Sequence, residues 1–195
     1  MNLLKNISHY NIILGSQSPR RKELMTSLNL KFEVVEIDVE ESYSNQYSGV
    51  DIPMYLAEKK ANAYKPLMDE QTMLITADTI VWHQAKVLGK PVDRQDAFRM
   101  LQTLSGKTHQ VITGVCICTL QRKKIFHTIS EVRFANITET EINYYLDNYK
   151  PYDKAGAYGV QEWIGFVGVE HINGSYFNVM GLPVQRLYNE LKRWK

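Results

Sequence analysis

Only two cysteines occur in 195 residues, Cys116 and Cys118 in "GVCICTL". Two positions apart on an expected strand, they point to one face and lie too close for an ordinary disulfide. A disulfide scaffold is excluded. A C-x-C metal or redox pair is the rarer use of such residues; small core side chains in a reducing cytoplasm are the expected one. An excess of one charge is lacking too: 23 basic residues stand against 21 acidic ones, a net +2. That balance gives no general attraction to nucleic acid or to an anionic membrane, so any basic site has to be local. No apolar run is long enough to span a bilayer. The opening "MNLLKNISHYNIILGS" has apolar pieces too short and broken for a signal peptide. The five histidines (His9, His83, His109, His127, His171) show no paired metal-ligand spacing, and internal repeats and low-complexity tracts are absent.

What remains is ordinary globular material, 44% hydrophobic and 23% charged, in a chain long enough to bury a core without a staple. Residues 1–195 are expected to form a single domain. Strands are expected at "NIIL" (11–14), "KFEVVEI" (31–37) and "MLITA" (73–77), the last followed at its end by Asp78 and Thr79. "TIVWHQAKVLGKP" predicts a hairpin, and "HQVITGVCICTL" with "KIFHTISEVRFANI" a strand pair joined at "QRKK". Ser18-Pro19 opens a helix, a cap oxygen followed by proline at the first helical position. Further helices are expected from Pro53, from Asp93, from the capping box Thr138/Glu141 and from about Pro183. The segment 150–175 is glycine-rich, with two short strands at most. Irregular alternation of strands and helices points to an α/β fold with a mixed sheet and flanking helices.

Several stretches have the makings of a site. In "GSQSPRR" a glycine and hydroxyl residues leave N–H groups at a helix start, which suits an anion. Arg20 and Arg21 add forked donors matched to phosphate oxygens, although a helix N-terminus is otherwise a poor place for positive charge. The alternative is that both are solvated on an exposed first turn, since the pattern is neither a Walker loop nor a dinucleotide fingerprint. Asp78 is read either as a holder of a cation or proton acceptor at a strand end, or as a turn aspartate bonding local backbone. Glu40 and Glu41 read as a solvated acidic loop, and Lys59 and Lys60 as surface lysines. Lys90 is more pointed, because Gly89 and Pro91 fix its backbone. "YDKAGAYGVQ" (152–161) reads as a tight glycine-rich turn in which Gln161 has an amide suited to a base edge.

Together, "LGSQSPRRKEL", "LAEKKA", "ADTIV", "GKP", "MLQTLSGKTHQVITGV", "DKAGAYGVQ" and "INGSYFNVMGLP", in that order over nearly the whole chain, resemble the Maf family. Its members are nucleoside triphosphate pyrophosphatases once described as septum formation proteins. The resemblance implies an α/β fold related to the inosine triphosphate pyrophosphatases, with two lobes around a central cleft. It implies hydrolysis of a nucleoside triphosphate to the monophosphate and pyrophosphate with a divalent cation, Mg²⁺ or Mn²⁺ by the oxygen-rich ligands expected. By the same resemblance Asp78 is the catalytic acid and, with Glu41, the metal holder. Ser16, Arg20, Arg21, Lys60 and Lys90 fall on phosphate-contacting positions, and Arg20, Thr79 and Gln161 on positions tied to substrate choice. Ala77-Asp78-Thr79 with "GAYGVQ" resembles the branch acting on dTTP and UTP rather than the 7-methyl-GTP branch, whose triplet is typically Ser-Asp-Gln. Glu162 and Trp163 depart from the small residues common after Gln161. Family habit implies a homodimer, a housecleaning role toward modified nucleotides and a role in arresting cell division. The competing expectation is a nucleotide-binding regulator of division that acts through a protein partner without catalysis. Two carboxylates beside a polyanion argue for the enzyme, because without a cation they would repel the ligand.

Overall fold

The computed structural model describes residues 4–195, and the chain divides into two compact units. The first is the chain as far as Asp78, with Thr113–Thr128 and Gly181–Lys195; the second is Thr79–Ile112 with Ile129–Met180. In chain order the strands are β1 (Asn11–Gly15), β2 (Glu33–Val35), β3 (Thr72–His83), β4 (Lys86–Leu88), β5 (Thr108–Cys118), β6 (Lys123–Phe134) and β7 (Val169–Asn173). The helices are α1 (Pro19–Thr26), α2 (Asp51–Tyr64), α3 (Arg94–Leu104), α4 (Glu139–Tyr149), α5 (Trp163–Gly168), α6 (Tyr176–Val179) and α7 (Val184–Lys192). The sheet order is β2-β1-β3-β5-β6-β7, with β4 paired to β3. Parallel pairing of β1 with β2 and β3, and antiparallel pairing of β3 with β4 and β6 with β7, make it mixed.

In the first unit α2 lies on the sheet because small residues let it approach. Ala57 and Ala61 pack against Ile13, Leu74 and Cys116 in one buried cluster that also takes in Cys118. A Cβ on Gly114 would fall 2.3 Å from the Pro53 backbone, so only glycine admits the helix start at that height. The two cysteines are free and buried, small core residues as expected. Chain ends meet here as well: Asn6 Nδ2 donates to Leu191 O at 2.9 Å and to Trp194 O at 2.7 Å.

In the second unit β3 turns into β4 through Gln84 and Ala85, both left-handed at φ 48° and 59°, the backbone of a tight hairpin. Asp93 caps α3, accepting Asp96 N–H at 2.7 Å. Thr138 and Glu141 form both halves of the capping box on α4. Arg94 on α3 reaches Asp147 on α4 at 2.7 Å. His109, Phe134 and Tyr158 stack edge to face at the centre of this unit, 4.9 to 5.4 Å between ring centroids.

Four expectations are corrected. "KFEVVEI" pairs only over Glu33–Val35, since β2 is the sheet's edge and has β1 alone as partner. The helix expected from Pro53 begins at Asp51, the proline sitting in a first turn where its missing N–H costs nothing. The strand expected to stop before Asp78 runs on to His83, so Asp78 and Thr79 lie within it. Segment 150–175 holds one short strand, β7, within the expected two at most, but also a helix, α5, that glycine content concealed.

Candidate functional site

The expected site residues divide between the units: Ser16, Arg20, Arg21, Glu41, Lys60 and Asp78 in the first, Thr79, Lys90 and Gln161 in the second. In the first unit the geometry starts with β3. Alternation along a strand puts Leu74, Thr76 and Asp78 on one face, and all three meet α2: Leu74 shares a buried cluster with Ala57 and Ala61, Thr76 Oγ1 donates to Ala57 O at 2.6 Å, and Asp78 Oδ1 receives Lys60 Nζ at 2.6 Å. Lys60 and Asp78 are 8% and 7% exposed. A carboxylate interrupting an apolar strand is tolerated because a buried ammonium faces it; removing either partner of such a pair costs about 3–5 kcal/mol.

Lys60 Nζ also donates to Glu41 Oε1 at 2.8 Å, so two carboxylates converge on one cationic centre. Glu41 reaches it because Lys59 pins the acidic loop. Its ammonium donates to Glu40 O at 2.8 Å, Ser42 O at 3.1 Å and Ser42 Oγ at 3.3 Å. Lys59 was legible in the sequence only as a surface lysine; its role depends on a loop 17 to 19 residues away in the chain.

Before α1, Ser16 is buried and Ser18 caps the helix, its Oγ accepting Arg21 N–H at 3.4 Å. The Arg21 side chain turns back over this loop, donating from Nε to Gly181 O at 2.8 Å and from Nη1 to Ser16 Oγ at 3.4 Å. It is not a solvated first-turn arginine. Burial lowers its pKa, Asp78 pulls it back up, Arg20 pushes it down and Glu41 pulls it up. Arg20, Arg21, Glu41, Lys60 and Asp78 thus share one electrostatic neighbourhood.

Two carboxylates already gathered around an ammonium are a donor set that suits a hard divalent cation, which takes one or two protein carboxylates and completes its shell with water and phosphate. The described residues contain no group of three His, Cys, Asp or Glu side chains that could hold a metal ion.

In the second unit Thr79 is half-buried within β3 and Lys90 is exposed. The turn carrying Lys90 is joined to the glycine-rich loop: Gly156 N–H donates to Gly89 O at 3.0 Å. Tyr158 anchors that loop through its hydroxyl, 2.7 Å from His109 Nε2. Burial, and secondarily His83, push the His109 pKa down to about 3, so the ring is neutral at ordinary pH. Gln161 follows, with its Oε1 buried and without a hydrogen-bond partner among the described residues. Its neighbour Glu162, legible in the sequence only as added bulk, is paired with Lys154 at 3.0 Å.

A family model described as Maf-like protein matches residues 11–194. The chain is 59% identical over 98% of its length to the whole of a protein of Bacteroides fragilis named dTTP/UTP pyrophosphatase. It is 55% identical, again over 98% of its length and all of the relative, to a Parabacteroides distasonis protein of the same name. Among solved structures, the Ham1 protein of Staphylococcus aureus is similar in fold, with a TM-score of 0.50 at 15% identity over 92% of this chain and 99% of that one.

Proposed function

The chain belongs to the Maf family, and on that premise we propose that it is a nucleoside triphosphate pyrophosphatase that hydrolyses dTTP and UTP to the monophosphate and pyrophosphate. The relatives' names support the substrates; the observation that carries the reading is the convergence of Glu41 and Asp78 on Lys60. Residues 1–195 act as one domain in this reading, and the site residues are those of the two units named above. Arg20, Arg21 and Ser16, with Lys60 and Lys90, hold the triphosphate oxygens, the arginines through paired donors. The attacking water gives its proton to Asp78 as its oxygen bonds to the α-phosphorus. The bond from that phosphorus to the bridging oxygen breaks, and pyrophosphate leaves with the electron pair. Negative charge grows on the phosphoryl oxygens during this step, and fixed cations placed in advance stabilise it without reorganising. Glu41 and Asp78 are the residues that would hold a Mg²⁺ or Mn²⁺ ion, whose chemistry is to neutralise phosphate charge and activate water. Thr79 and Gln161 contact the nucleoside. The same reading takes the protein as cytoplasmic and homodimeric, with no nucleic-acid or membrane partner; no helix among the described residues is long and apolar enough to cross a membrane.

The test is pyrophosphate release with Mg²⁺ from dTTP, UTP, CTP, GTP, ATP and 7-methyl-GTP, with Asp78→Asn alongside. Release from dTTP and UTP that falls about a hundredfold or more in the variant is expected. A protein that binds these nucleotides and releases no pyrophosphate would overturn the reading in favour of a regulator.

A further inference from the structure

The turn 159–162 is tied at both ends to a single phenol. Gly159 N–H donates to the Tyr145 hydroxyl at 3.0 Å, and that hydroxyl donates to the Glu162 carboxylate. The backbone closes the same turn, Glu162 N–H donating to Gly159 O at 3.0 Å. A Cβ on Gly159 would fall 2.7 Å from Glu162 Cδ, so the carboxylate lies directly on the glycine. The other Glu162 oxygen takes the Lys154 ammonium at 3.0 Å, and the side chains are only 19% and 10% exposed. Lys154 is itself held by Asp153 at 2.7 Å. Burial and Glu162 raise the Tyr145 pKa, which keeps the phenol a donor.

Gln161 lies inside this turn, and its Oε1 is the buried acceptor left without a donor. Such an atom carries a desolvation cost that a ligand donor removes. We propose that Glu162 is a positioning residue for base selection: through Tyr145 and Lys154 it holds the turn so that Gln161 Oε1 accepts the N3–H of a pyrimidine dione. The inference rests on the pyrimidine nucleotide reading above and extends it to a residue outside the contacts named there. Uracil and thymine both carry a hydrogen at N3. Cytosine carries a lone pair there and leaves the acceptor unsatisfied, the situation in which a hydrogen-bonding site rejects an analogue most strongly. Loosening the turn removes this discrimination while leaving the phosphate chemistry of the other residues in place.

The experiment is steady-state kinetics with dTTP, UTP and CTP on the wild-type protein, Glu162→Ala, Glu162→Gln and Tyr145→Phe, each checked for folding by circular dichroism. In Glu162→Ala the KM for dTTP and UTP is expected to rise about tenfold with kcat within about threefold, while CTP is little affected, so selectivity over CTP falls about tenfold. Glu162→Gln still accepts from Tyr145 and recovers most of the loss. Tyr145→Phe reproduces the KM rise without touching the turn's own residues, and decides alone if Glu162→Ala does not fold. Unchanged selectivity in the folded variants, or an equal fall in kcat on all three triphosphates, overturns the positioning role alone. A wild-type protein inactive on dTTP and UTP overturns the activity and this inference with it.

Discussion

The two units treat buried polarity in opposite ways. In the first, Lys60 and Asp78 are buried as ions, with Glu41 and Arg21 beside them. In the second, the centre is neutral: His109 is kept uncharged by burial and bonds Tyr158, and the buried oxygen of Gln161, without a donor, belongs to an amide. A largely buried ion pair there, Lys154 with Glu162, braces a turn. In the proposed function the difference follows from what each has to meet. A triphosphate is a polyanion whose charge shifts during hydrolysis, so opposing fixed charges are useful. A pyrimidine base is neutral and is told apart by the direction of its hydrogen bonds, for which a rigid uncharged frame serves better.

Removing the charge at the centre of the first unit is the sharpest way to break the contrast. Lys60→Met leaves Glu41 and Asp78 facing one another, and kcat/KM for dTTP is expected to fall about a hundredfold. Urea unfolding of the same variant should show a loss of about 2–3 kcal/mol, below the range for fully buried pairs because Glu41 is 42% exposed on its side chain. The neutral unit answers to acid instead. An unfolded His109 takes a proton near pH 6.5 and the folded one only at about 3. The unfolded state therefore binds more protons across that window, and stability is lost as pH falls from 6.5 toward 3. The slope from this residue is at most about 1.4 kcal/mol per pH unit. Thermal unfolding of His109→Gln should be visibly less steep in pH over that interval than the wild type; equal slopes would mean that His109 is not held neutral. Thr138→Ala lies in neither group and calibrates both. Loss of the cap on α4 should cost about 1 kcal/mol at neutral pH and leave turnover unchanged.

What the sequence made legible were features decided within a few residues. Ser18 with Pro19, Asp93 and the Thr138/Glu141 box begin their helices as expected, because a cap and its N–H partner are local. The length of β3 was not legible. A carboxylate after "MLITA" reads as a strand end, and the ammonium that lets the strand continue comes from a helix 18 residues earlier. Glu41 looked like part of a solvated loop, and its place depends on Lys59 holding that loop's carbonyls. Only the likeness to a family named Glu41 and Lys60 in advance. Glu162 reads as bulk until Tyr145 and Lys154 are seen around it, and Tyr145 lies 17 residues away in the chain.

Leu74, Thr76 and Asp78 reach α2 by being alternate residues of β3. The carboxylate's place is consequently a matter of parity, counted along the strand from its pairing with β1. Losing or gaining one residue between Thr72 and Asp78 would present Ala77 or a neighbour to Lys60 and exchange the strand's two faces at a stroke. Point substitutions there can be graded in their effects; a change of length cannot. Evolution is thus free to lengthen the connections around this strand, while the strand itself works as a fixed ruler whose miscounting no nearby side chain can repair.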